Sequence, residues 1–481
     1  MRSSSVLSIA FATISAIGLV LLLSGKEQRI QGAAATILLG TIALVTCRDV
    51  LVERFHAANI RHYVLLSYAL FMGIGMLVDL SDRHYAFNGT ALGLCLTGLY
   101  AFLIGFALGP RQARRPLPSF QVAPRQLFAV AVALYALGFG FIYLEWYLFG
   151  QIMNYAGTFV SSTRKPLPIL PMVHEFTNLV LPACLISLVL MRRGVSRGKD
   201  ALLKALLACT LIWFVLWGAR GNFLCLAVGW VIIGSEIKGP DGARRISIKP
   251  LLFCAFAVAI MVALSVVRTT WDVSRLQESG AAGAVAASAR TLDSYTQLRR
   301  TVEWFPARME FLKGYSFYAI AVNVVPRVWW PQKPMGLGRL ASVWFDRTPN
   351  NSIGLSLVGE LYANFGTPAS IVGMLFFGLI CRAAYTWYLG RRGNEAALVV
   401  YVQLLWCMMQ EVRGDMLSTT IRLAYYTVPT IVVFTVLTGL NRTLGKTIWG
   451  RPKGRGALRS CSGQRLWRYG RTGAPAAIWR R

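Results

Sequence analysis

Residues 89–108, GTALGLCLTGLYAFLIGFAL, contain no charged side chain. At 1.5 Å per residue, a helix of this length covers the roughly 30 Å hydrocarbon core of a bilayer. Inside lipid the backbone polar groups must be satisfied within the segment itself, so the run reads as a membrane-spanning helix.

Similar runs recur on both sides of it. They fall near 6–23, 32–47, 63–80, 127–149, 174–191, 202–218, 221–236, 250–267, 368–389, 396–411 and 421–439, which makes about twelve spans in all. Composition agrees, with 55% hydrophobic residues and 15% charged, against about 25% charged in a soluble domain. The first run lacks a small-residue cleavage site and further spans follow it, so it reads as a retained helix. The expected fold is therefore an all-α, polytopic membrane protein. Residues 1–267 form a bundle of about nine helices, 268–367 a large outside loop, 368–440 about three more helices, and 441–481 a basic tail.

The net charge of +30 raises the question of a nucleic-acid partner, but its distribution answers it. With an even span count and both ends inside, the short inside loops carry dense basic residues. These are Arg48, Arg54 and Arg61; Arg111, Arg114, Arg115 and Arg125; Arg192, Arg193, Arg197 and Lys199; Lys238, Arg244, Arg245 and Lys249; and Arg391 and Arg392. The short outside loops carry fewer: Lys26, Arg29, Arg83, Arg164, Lys165, Arg220 and Arg413. That is the positive-inside pattern. The tail, rich in Arg, Gly and Trp, is expected to rest inside on anionic lipid, and no nucleic-acid partner is expected.

None of the nine cysteines falls in an expected outside loop, so no disulfide is expected. No Cys/His spacing suggests a metal site, and no Walker, dinucleotide or His-Glu-x-x-His pattern is present. No cofactor is expected.

Polar groups on the outside face have two readings each. Arg220, in Gly218-Ala219-Arg220-Gly221, either snorkels at the interface or offers a planar fork for bidentate phosphate contact. Arg413, in Glu411-Val412-Arg413-Gly414-Asp415, repeats the Arg-Gly arrangement, and a local ion pair with Glu411 or Asp415 is the simpler role. Arg164, in Ser162-Thr163-Arg164-Lys165-Pro166, fits rim charge or substrate contact. Within the large loop, residues 281–313 read as a solvated amphipathic helix lying on the membrane. Residues 323–353, rich in Pro, Gly and Trp, are not expected to form long regular elements. Trp329 and Trp330 suit interfacial anchoring or stacking on the apolar face of a sugar, with Arg327 and Lys333 placing cations beside them.

The run Pro326-Arg327-x-x-Trp330-Pro331-x-Lys333-Pro334 is followed by Gly354-x-Ser356-x-x-Gly359-Glu360-Leu361-Tyr362-x-Asn364-Phe365-Gly366. Together they resemble the signature of oligosaccharide repeat-unit polymerases, the Wzy-type O-antigen and exopolysaccharide polymerases. The resemblance is specific over 326–366 and elsewhere rests mainly on topology; the tail after about 445 matches nothing of the family.

The resemblance implies a GT-C-like architecture with its large loop in the periplasm, in a bacterial inner membrane with both termini cytoplasmic. It implies transfer of a glycan from an undecaprenyl-pyrophosphate carrier to a hydroxyl of another lipid-linked repeat unit, without a metal. Arg220 and Arg413 would stabilise the pyrophosphate leaving group and Glu360 would serve as general base, unless it is an ion-pair partner or helix cap. Arg327, Trp329, Trp330, Lys333, Tyr362 and Arg164 would bind substrate. A chain-length co-polymerase and a flippase would be partners. The alternatives are an O-antigen ligase-type transferase and a transporter of polysaccharide or lipid-linked sugar. Such ligases carry a histidine in the large outside loop, and His56, His62, His84 and His174 all lie outside 268–367. Transporters show paired repeats and charge near the midplane, and no half-to-half repeat is visible.

Overall fold

The computed structural model describes residues 26–51, 56–80, 87–110, 120–149, 170–217, 220–237, 294–323, 325, 329–346 and 353–448. Among them the regular structure is helical throughout. Two compact units are distinguished, Met1–Thr438 and Gly439–Arg481. Of the second, only the last turns of a helix are described.

The helices are α1 Lys26–Leu51, α2 Ile60–Leu80, α3 Gly89–Leu108, α4 Pro124–Phe149, α5 Leu170–Thr177, α6 Val180–Arg193, α7 Arg197–Trp217 and α8 Arg220–Glu236. In the loop region come α9 Ser294–Trp304, α10 Tyr315–Val322, α11 Leu337–Asp346 and α12 Ser356–Phe365. The C-terminal group is α13 Thr367–Leu389, α14 Glu395–Glu411 and α15, which runs from Met416–Arg422 through a π-turn at Leu423–Thr427 into Val428–Ile448. A second π-turn, Ala69–Gly73, interrupts α2.

Seven helices among the described residues are long and apolar enough to cross a membrane: Glu27–Asp49, Ile60–Leu80, Gly89–Leu108, Pro124–Glu145, Val173–Arg193, Thr367–Leu389 and Met416–Thr443. Of three more expected runs, at 202–218, 221–236 and 396–411, the described residues are helical, and the last two lie in helices of 17 residues each. The runs at 6–23 and 250–267 lie outside the described residues, as does the tail beyond 448.

The helix α14 owes its shortness to its position. Almost every side chain from Ala396 to Glu411 is buried, Gln403 and Gln410 included, so it is wrapped by protein and faces little lipid. Asparagine starts several of the helices. The side chain of Asn88 accepts from Ala91 N–H at 3.0 Å and that of Asn394 from Ala397 N–H at 2.9 Å, caps worth about 1 kcal/mol each.

Without a hydrophobic drive between helices in lipid, close backbone approach is what holds spans together. The pair α3 and α13 is built this way. A β-carbon on Gly105 would overlap the Leu375 carbonyl, and one on Gly378 the Phe102 carbonyl.

One of the loop expectations is corrected. The described part of 281–313, residues 294–313, does not form one solvated amphipathic helix. It is helical only over Ser294–Trp304, with Tyr295, Leu298, Arg299 and Thr301 buried. The cause is ionic. Arg299 Nη2 meets Asp79 Oδ1 at 3.1 Å and its Nη1 meets Glu303 Oε1 at 2.9 Å. Asp79, buried at the end of α2, also accepts from Thr296 Oγ1 at 3.1 Å and from Gln31 Nε2 at 3.0 Å. A guanidinium so engaged draws α9 into the bundle. The stretch 323–353, not expected to form long regular elements, contains among its described residues the ten-residue α11.

Candidate functional site

The site is built around the ends of α12, α14 and α15. Chain direction places it opposite a second polar cluster, where Glu236 meets His56 at 3.2 Å and Arg392 at 2.8 Å. The 17 residues of α14, at 1.5 Å each, put about 25 Å between the two.

Glu360 is fully buried on α12. Its Oε2 accepts the Met416 N–H at 2.6 Å, the first amide of α15, so it joins the motif at 354–366 to the connection at 411–416. Its Oε1 makes no well-aligned hydrogen bond, although the Ser316 hydroxyl lies close enough to favour the charged form a little. Burial pushes the Glu360 carboxyl well above the usual carboxylate range, and the negative charges of Asp415 and Glu411 push the same way. The Met416 amide pulls against them and does not win.

Asp415, named from sequence only as a candidate ion-pair partner of Arg413, organises the connection. Its Oδ1 caps α15 by accepting Ser418 N–H at 3.1 Å, and its Oδ2 accepts Gly338 N–H at 3.3 Å. The same turn is gripped from a third direction, because the Arg413 carbonyl accepts Ser356 N–H at 3.3 Å. A β-carbon on Gly354 would fall on that carbonyl oxygen, so glycine is required there by close approach. Ser356 itself has φ +64, a left-handed conformation costly for a non-glycine residue.

Arg413 is partly exposed, with its guanidinium 5.3 Å from the centre of the Phe71 ring. Arg220 opens α8; its side chain lies outside the described residues. The neighbouring Gly221 faces Trp406 and Gln410, since a β-carbon there would stand 3.3 Å and 3.8 Å from them. The two Arg-Gly segments are thus brought to one end of the bundle.

The expected substrate-binding residues divide. Arg164 and Arg327 lie outside the described residues. Trp329 is 79% exposed and Trp330 half-buried. Lys333 is buried and its ammonium is engaged by its own loop, donating to Asn323 O at 2.9 Å, Asn323 Oδ1 at 3.2 Å and Val325 O at 2.9 Å. It braces the loop and does not stand beside an open platform. Tyr362 is buried, donates its hydroxyl to Phe305 O at 3.1 Å and packs edge-on to Phe311.

Asn364, quoted from the motif without a role, is a full connector. Its Nδ2 donates to Ser316 Oγ at 2.9 Å and its Oδ1 accepts Ser316 N–H at 3.2 Å. Among the described residues no group of His, Cys, Asp and Glu is arranged to hold a metal ion. No family model, curated protein or solved structure matches the chain.

Proposed function

We propose that the chain is a membrane glycosyltransferase that polymerises oligosaccharide repeat units carried on undecaprenyl pyrophosphate. One observation carries the reading: Glu360 Oε2 on Met416 N–H, at 2.6 Å. It unites the Gly-Glu-Leu-Tyr motif with the Arg413-Gly414 connection, and Gly221 brings the second Arg-Gly segment beside them. The motif at 354–366 and the two Arg-Gly segments, distant in the chain, thus lie at one end of the bundle, which supports the reading.

In this reading the acceptor hydroxyl oxygen attacks the anomeric carbon of the donor glycan. The new C–O bond forms as the bond to the pyrophosphate oxygen breaks, and the electron pair leaves with the lipid pyrophosphate. Arg413 and Arg220 stabilise that developing charge. The hydroxyl proton passes to Glu360, whose raised pKa makes it a competent base once ionised. Trp329 offers an exposed indole face for a sugar ring, while Lys333 and Tyr362 hold the loop in shape. The arrangement belongs to a chain of about twelve spans in a bacterial inner membrane, with the site facing the periplasm and both termini inside. A flippase that delivers the substrate and a chain-length co-polymerase are the partners this chemistry calls for.

The test is the glycan profile of a strain lacking the chain, complemented by wild type or by Arg413→Ala. Accumulated single lipid-linked repeat units, rescued only by wild type, support the polymerase. Full-length chains left unattached would mean a ligase instead.

A further inference from the structure

The loop region contains one helix whose burial runs against its composition. Helix α10, YSFYAIAV, has no charged residue, yet among the described residues only Ser316 and Ala319 are buried. Phe317 and Tyr318 are 47% and 50% exposed. A helix with small residues inward and aromatic ones outward is facing something other than water.

The surface it continues identifies the occupant. Phe317 packs on Phe365, ring centres 6.2 Å apart, and Phe365 is itself 49% exposed. Phe365 stands two residues before the start of α13, which is long and apolar enough to cross the membrane and exposes Ile371, Val372, Phe376 and Ile380 along its length. Exposed apolar residues on a membrane span face lipid. The stripe on α13 is continued, past the exposed Thr367 and Pro368, by Phe365 and through it by Phe317 and Tyr318. Glu310 and Lys313, an exposed ion pair at 3.0 Å, precede the helix.

The geometry fixes this contact firmly. Gly314, at φ +94, turns the chain into α10, and a β-carbon there would stand 3.1 Å from the Phe365 ring. The Asn364 side chain bonds Ser316 twice, and the backbone amides of Leu312 and Lys313 donate to Ala363 O and Asn364 O, both at 2.9 Å. Helices α10 and α12 therefore move together.

We infer that α10 is a membrane-docking element: Phe317, Tyr318 and Phe365 insert into the acyl-chain boundary of the bilayer beside α13. The inference stands apart from the glycan chemistry. It has a consequence for it all the same, because Glu360 lies five residues before Phe365 on α12, about 8 Å along the helix axis. The buried carboxyl is held close to the bilayer boundary.

The experiment uses the full chain in proteoliposomes of phosphatidylethanolamine and phosphatidylglycerol. The photoreactive p-benzoylphenylalanine replaces Phe317 or Tyr318, one at a time, with Phe376 as the lipid-facing control and Glu303 as the water-facing one. Mass spectrometry then scores lipid adducts. We expect adducts at 317 and 318 comparable to those at 376, and about tenfold above those at 303. Adducts at 376 but not at 317 or 318 overturn the inference, and so does a crosslink from 317 or 318 to a second copy of the chain. Two independent positions guard against one variant failing to fold.

Discussion

Glu360→Gln separates what the carboxyl does for structure from what it does for chemistry. In the structure Oε2 accepts one backbone amide at 2.6 Å, and the amide oxygen of glutamine can accept the same bond. Because burial and the nearby Asp415 raise the Glu360 pKa, glutamine resembles the protonated carboxyl in shape and charge. The variant should keep wild-type abundance. Glu360→Ala should not, since it orphans the Met416 N–H at a cost of about 1–3 kcal/mol. If Glu360 is the base, Glu360→Gln lowers the polymerisation rate by about 10²–10⁴ in a protein that is still present.

The raised pKa adds a pH dependence with a definite sign. The unfolded chain releases its proton near 4.3, the folded one higher. The stability from Glu360 is therefore complete below the unfolded value and is lost as pH rises through the folded one. Thermal unfolding of the purified chain should show that alkaline loss in wild type, with Glu360→Gln flatter. The assay is polymer laddering and membrane abundance in the same cells. A stable Glu360→Gln protein with wild-type laddering refutes the base, and the reaction would then run on leaving-group stabilisation alone.

Breaking the buried pair with Asp79→Leu should cost about 3 kcal/mol, the lower end of the range for a stranded buried charge, because Glu303 still holds Arg299. The double variant Asp79→Leu/Arg299→Leu should recover most of that in thermal unfolding, and a double variant no better than the single would refute the pairing. Gly354→Ala pushes a methyl group onto the Arg413 carbonyl and should cost about 1–3 kcal/mol, read as a lower melting temperature; unchanged melting would mean the contact is loose. Reporters fused after residues 300 and 416 should be active outside the cytoplasm and those after 115, 196 and 450 inside, and an inside signal at 300 would remove the basis for a periplasmic site.

The helices were readable because lipid leaves a chain few options, and apolar length alone identifies most of them. Their surroundings were harder to read. Nothing in residues 396–411 distinguishes a helix wrapped by protein from one bathed in lipid, apart from Gln403, Gln410 and Glu411. The burial of Glu360 was foreseeable from the loop's return toward the membrane, but its partner was not, since a backbone amide such as Met416 N–H has no sequence signature. Lys333 misled because a lysine beside tryptophans looks like a binding edge, while the carbonyls it braces, Asn323 O and Val325 O, are invisible in side-chain identity. Asp79 and Arg299 stand 220 positions apart, and no local pattern reports such a pairing.

That separation also has a meaning in time. Asp79 is made long before Arg299, and a carboxylate near a bilayer without its counter-ion is costly. At about 5–20 residues per second of synthesis, the guanidinium arrives roughly 10–40 s later. During that interval Gln31, already made, is the partner available to Asp79. The span Ile60–Leu80 therefore reaches its final seat late, when the loop comes down onto it. A chain truncated before residue 299 should hold this span less firmly than the whole protein does.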